Sequence, residues 1–131
     1  MDTGLLEAHQ HLSEYCDSVE FVEIPSESTA YGKHLLALKS LFTVDPYTIN
    51  WLKSDLMQAA IQRLNDNMDF DLIHFDTISL APYIDEFPDT PKVLDHHNIE
   101  SHMMLRRAEQ ENNLLKRFYY HLEGKKLLSY E

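Results

Sequence analysis

FDLIHFDTISLAPYIDEFPDTPKVLDHHN, residues 70–98, decides the fold. Phe70-Asp71-Leu72-Ile73-His74-Phe75 is short, apolar and of strand composition. Thr77 or Ser79 can open a short helix through Phe87, and Pro88 to Pro91 form a turn. Lys92-Val93-Leu94-Asp95 is a second short strand. Two strands joined by a helical crossover make the unit of a parallel sheet. Ligands in such sheets bind beyond the carboxyl ends of the strands. Both ends are polar here: His74-Phe75-Asp76-Thr77 and Asp95-His96-His97-Asn98.

The same alternation extends outward in both directions. Residues 4–16 read as a helix, with Leu5, Leu12 and Tyr15 in helical period. Val19-Glu20-Phe21-Val22-Glu23-Ile24 has strand composition and is stopped by Pro25. Residues 25–32 read as a loop and 33–42 as a helix ending before Asp45-Pro46. Ser54 or Asp55 caps a helix to about Asn65, with Leu56, Ala60, Ile61 and Leu64 on its apolar face. Downstream, residues 98–110 and 112–130 are helical, with a kink near Glu111-Asn112-Asn113. Leu114, Leu115, Phe118, Tyr119, Leu122, Leu127 and Leu128 fall at helical spacing on the second.

The densest polar cluster, Asp95 to His102, supports three readings. In the first it lines a ligand crevice, where imidazoles bond sugar hydroxyls or a protonated one meets phosphate. In the second it is structural, with Asn98 the helix cap and Glu100 complementing the positive first turn. In the third, His96 or His97 with Glu100 and His102 ligates a metal, which requires adjacent residues to converge on one ion. His74 reads equally as a buried histidine or a ligand contact. Asp76-Thr77 also serves as a helix start. Cys16 reads as packing, and Arg106 and Arg107 as a solvated helix face.

Composition narrows the function classes. The chain has 131 residues, 11 bases and 22 acids, a formal charge of −11. That length suits one compact domain, and that charge excludes a nucleic-acid binder held by phosphate contacts. The charge is uneven: residues 66–100 carry nine acids and one base, while 101–131 carry six bases and four acids. One cysteine excludes an intrachain disulfide and a cysteine zinc site. Only Gly4, Gly32 and Gly124 are present, which excludes glycine-rich phosphate loops and a GxSxG elbow. No apolar run approaches the roughly 20 residues of a membrane span. The start at Met1-Asp2-Thr3 shows no leader and no lipid-anchor motif is present, so a reduced, cytoplasmic setting is expected.

Phe70-Asp71-Leu72-Ile73-His74, then Ala81-Pro82-Tyr83, then Pro91 to Ser101 resemble glycosyltransferase family 4 in its pattern "fDlIH", helix, "p-x-V-l-D-x-H-N-x-E-S". Arg106-Arg107 and Tyr130-Glu131 resemble the following "rR…yE". Tyr15-Cys16-Asp17-Ser18-Val19 resembles the "c-x-x-V" lead into that domain's third strand. The resemblance covers nearly the whole chain; each motif is short, and their order and spacing carry it.

The resemblance implies an α/β fold: an incomplete Rossmann-like three-layer domain with a short parallel sheet and flanking helices. Residues 1–131 would form one partial domain, the later part of the acceptor-side half of a two-domain GT-B enzyme. The parent would transfer a hexose from a sugar nucleotide to a hydroxyl acceptor with retention. This chain alone would be inactive, without the donor domain. His97 would face the transferred sugar or donor phosphate as the catalytic residue, orienting by hydrogen bonds. His74, Asp76, Asp95, Asn98 and Glu100 would bind substrate or support that loop. No cofactor, resident metal or nucleic acid is implied. Exposed strand edges would favour self-association, and docking to a membrane is permitted. The alternative is a non-catalytic α/β ligand-binding or protein-interaction module using the same crevice or the helices of 98–130.

Overall fold

The computed structural model describes residues 3–131. Met1 and Asp2, the start at which no leader is expected, lie outside the described residues. The architecture is mixed α/β and mostly helical, around a two-stranded parallel sheet. Six α-helices run Thr3–Leu12 (α1), Gly32–Ser40 (α2), Tyr47–Leu52 (α3), Asp55–Asn67 (α4), Glu100–Gln110 (α5) and Leu114–Leu128 (α6). The strands are Ile73–Phe75 (β1) and Lys92–Leu94 (β2), paired Ile73↔Lys92, His74↔Val93 and Phe75↔Leu94. No helix among the described residues is long and apolar enough to cross a membrane.

Local chemistry sets the boundaries. Ser54 caps α4, its hydroxyl oxygen accepting the Met57 amide at 3.4 Å. Asn113 caps α6 through the Leu115 and Lys116 amides, so the expected kink is a full break between two helices. The crossover Ile78–Glu86 opens at Thr77 and is a 3-10 helix, with Pro82 inside it. Proline lacks the N–H that an α-helical ladder requires there.

Two expected features are corrected. Residues 19–24 form no strand: they run irregularly past α4, tied by Arg63 to the Glu20 carboxylate. Their alternation has no strand to pair with. A helix stands at Tyr47–Leu52 where none was expected. Pro46 is its N-cap, supplying the extended entry and the fixed φ of −69°.

The core is asymmetric about the sheet. Ile61 of α4, Phe75 of β1, and Tyr83 and Phe87 of the crossover are buried together, with Met57, Phe70, Ile73, Leu80 and Ile84 around them. Phe87 meets Phe70 and Phe75 edge-on, with centroids 6.3 and 6.5 Å apart. Each such ring contributes about 1.5–3 kcal/mol on burial. The opposite face carries His74 and Val93, both exposed. On α4, Ala60 and Ile61 point inward as expected, while Leu56 is exposed.

The carboxyl end of α6 fastens to the amino half of the chain. Fully buried Glu123 accepts the Tyr47 amide at 2.5 Å, capping α3. Lys126 donates to the Ser40 carbonyl, and the Tyr130 hydroxyl to the Asp45 carboxylate. Burial, then that hydrogen bond, pushes the Tyr130 phenol up to about 12. Leu127 is fully buried beside this clasp. Gly124 lets α5 approach: a Cβ there would stand 2.9 Å from Leu105 Cγ. The apolar stripe expected on α6 is only partly inward. Leu127 is buried, whereas Leu114, Leu115, Phe118 and Leu128 are exposed. Cys16, expected to pack, is also exposed.

Candidate functional site

Parallel pairing builds the site. Because Phe75 stands opposite Leu94, the residues that follow, Asp76 and Asp95, leave the sheet side by side. The Asp95 amide donates to the Phe75 carbonyl at 2.8 Å and fixes that step. The turn after β2 then brings His97 back, its Nε2 3.0 Å from Asp76 Oδ1. Ligand atoms of Asp76, Asp95 and His97 all lie within 4.8 Å of one another. The three side chains are exposed. At 61% and 72% side-chain exposure, the His97–Asp76 contact is worth at most about 1 kcal/mol.

Two carboxylates and an imidazole at one strand edge offer acceptors for hydroxyl groups, a titratable donor, and oxygen and nitrogen ligands for a divalent cation. The cation reading therefore moves. The expected set of His96 or His97, Glu100 and His102 does not form such a group among the described residues. Asp76, Asp95 and His97 do.

The other expected site residues separate from this cluster. His96 turns onto its own loop, Nδ1 2.8 Å from the Asn98 carbonyl oxygen. The two adjacent imidazoles thus serve different partners. Asn98 is exposed and does not cap α5; Ile99 holds the N-cap position without a side-chain bond. His74 is exposed on the open sheet face, against the reading of a buried histidine. His102 is exposed on α5.

Glu100 occupies the first turn of α5, as expected, but is half-buried. Burial chiefly, and the neighbouring Glu131 carboxylate, raise its pKa, while His96 and a hydrogen bond from Thr48 pull it down. Glu131 supplies the cap that Asn98 does not. Its carboxylate accepts the Ser101 amide at 3.1 Å and the Ser101 hydroxyl. Negative charge there meets the positive end of α5. Neither Glu131 nor the pairing of Asp76 with Asp95 was among the sequence expectations as such. The signal for the pairing was the equal spacing of each aspartate from its strand. The signal for Glu131 is absent from local sequence, because it lies 30 residues from Ser101.

No protein-family model, no curated protein and no solved structure matches this chain.

Proposed function

We propose that this chain is the acceptor-side part of a retaining, sugar-nucleotide-dependent glycosyltransferase of family 4, inactive without its donor half. The observation that carries the reading is the parallel register that sets Asp76, Asp95 and His97 together at the carboxyl edge of the sheet. That is where an open α/β sheet offers its ligand crevice. Their exposure suits a cleft whose other wall is a second domain. Among the described residues β1 and β2 each have one neighbour, which suits a sheet that continues into a larger Rossmann-like one or pairs with another copy.

In this reading His97 hydrogen-bonds the transferred sugar or the donor phosphate, oriented by Asp76. Asp95 and Asp76 accept from acceptor hydroxyls, with His74 and Asn98 at the margin. Glu100 supports the loop from the first turn of α5, where a hydrogen bond from Thr48 of α3 holds it. The setting is cytoplasmic and the partners are a sugar nucleotide and a hydroxyl acceptor.

The test is transfer from a panel of sugar nucleotides by the native polypeptide. His97→Ala there is expected to slow transfer about 10- to 100-fold, the effect of one charge-assisted hydrogen bond. Turnover of a sugar nucleotide by the 131-residue chain alone would overturn the reading. A second reading, a non-catalytic interaction module, draws on one observation: Leu114, Leu115 and Phe118 stand exposed on α6.

A further inference from the structure

The hairpin of α5 and α6 carries a groove of about 550 Å³ outside the strand-edge site. Leu105, Ala108, Leu114 and Phe118 supply its apolar lining. Glu109 of α5 and Arg117 of α6 line it too, and His121 adjoins them. Leu114 is 76% exposed and Phe118 64%, and Leu115 beside them is 82% exposed. Glu109 and Arg117 form no ion pair among the described residues. An exposed apolar group flanked by unpaired charges is the anatomy of an interface core and rim.

We infer that this groove is the face through which two copies of the chain pair, α5–α6 hairpin against α5–α6 hairpin. Three observations select a second copy as the occupant. First, a two-fold contact sets residue i against residue j in both directions. A surface with Glu109 on one helix and Arg117 on the other is complementary to itself, each glutamate meeting the partner's arginine. Second, charge elsewhere opposes self-pairing. Residues 1–65 carry nine acids and four bases, and 66–100 nine acids and one base. Only 101–131 has more bases than acids, six to four, so copies of this acidic chain meet there with least repulsion. Third, a net charge of −11 disfavours an anionic bilayer as the occupant, and Glu109 sits within the groove itself.

The pairing forms a four-helix arrangement. Leu114 and Phe118 supply its apolar centre, and two Glu109–Arg117 bridges flank it. It rests on no reading of the strand-edge cluster, which stays uncovered.

The experiment is sedimentation equilibrium of the full chain over a dilution series, with four variants. The wild type is expected to approach twice the 15.4 kDa of one chain. Phe118→Glu is expected to be monomeric throughout. Glu109→Arg and Arg117→Glu are each expected to weaken pairing about tenfold, as loss of an opposed charge pair does. The double reversal Glu109→Arg with Arg117→Glu is expected to restore it, which no misfolded variant would do. All three positions are exposed, so far-UV dichroism should match the wild type. A wild type monomeric at every concentration overturns the inference. So does a monomeric wild type that sediments with phosphatidylserine vesicles, which assigns the groove to lipid. A dimer that survives Phe118→Glu and both single reversals runs through another surface and also overturns it.

Discussion

The Tyr83 hydroxyl accepts the Ser54 amide at 2.9 Å while donating to the Leu52 carbonyl at 2.7 Å. One buried phenol thereby joins the end of α3 to the start of α4. Tyr83→Phe keeps the ring in the core and leaves both backbone groups without this partner. The expected loss is about 1–3 kcal/mol in urea unfolding. An unchanged midpoint would show that water replaces the hydroxyl.

Two glycines sit where backbone or side chain approaches closely. A Cβ at Gly32 would meet the Ser26 carbonyl oxygen at 2.3 Å, and one at Gly124 would meet Leu105 Cγ at 2.9 Å. Gly124→Val should cost about 1–3 kcal/mol by overpacking. Gly32→Ala should lower the thermal midpoint too, because a backbone carbonyl cannot rotate away as a side chain does. A wild-type midpoint in either variant would count against the packing described.

Stability should rise as pH falls through the raised pKa values of Glu123 and Glu100 toward 4.5. Burial raises the Glu123 carboxyl pKa above its ordinary 4.5, although the Tyr47 amide and Lys126 oppose this. Glu100 is raised as well. The folded chain therefore binds these protons at higher pH than the unfolded chain does, and the cost of ionisation fades toward 4.5. Further acidification works the other way. Hydrogen bonds from Lys53 and Tyr130 hold Asp45 below its ordinary 3.8, so its contribution is lost as pH falls through that lowered value. Denaturation across the pH range should trace a dome. Glu123→Gln should lessen the loss just above pH 4.5, with the Glu100 part remaining there.

Substitution at the strand edge should be silent in stability. Asp76, Asp95 and His97 are exposed, and their contacts are worth little in water. Asp76→Asn, Asp95→Asn and His97→Ala should each shift unfolding by less than about 0.5 kcal/mol. A large loss in calorimetry would make the cluster a structural one.

The elements that local chemistry specifies were legible in the sequence. Ser54 or Asp55 marked the start of α4, and the runs at 70–75 and 92–95 marked both strands, of which Ile73–Phe75 and Lys92–Leu94 pair. Elements that depend on a distant partner were not. Residues 19–24 alternate like a strand but have none beside them. The helix Tyr47–Leu52, with β-branched Thr48 and Ile49, is held by a glutamate 76 residues away. The carboxyl ends of both strands were legible, whereas the grouping of His97 with Asp76 rather than His102 depends on sheet register. Helical spacing marked Leu114 and Phe118 as apolar, yet spacing cannot say that a face lacks a neighbour.

The clasp between α6 and the amino half also orders events in time. The Glu123–Tyr47, Tyr130–Asp45 and Lys126–Ser40 bonds close loops of 76, 85 and 86 residues. The α5–α6 hairpin closes across Glu111, Asn112 and Asn113 alone and is expected to form early, since short loops lose least entropy. It must then find the 40–47 segment through most of the chain's length. That search is expected to be the slow step, because long-range closure costs the most entropy before any contact rewards it. Tyr130→Phe, which removes one rung of the late contact, should speed unfolding more than it slows folding.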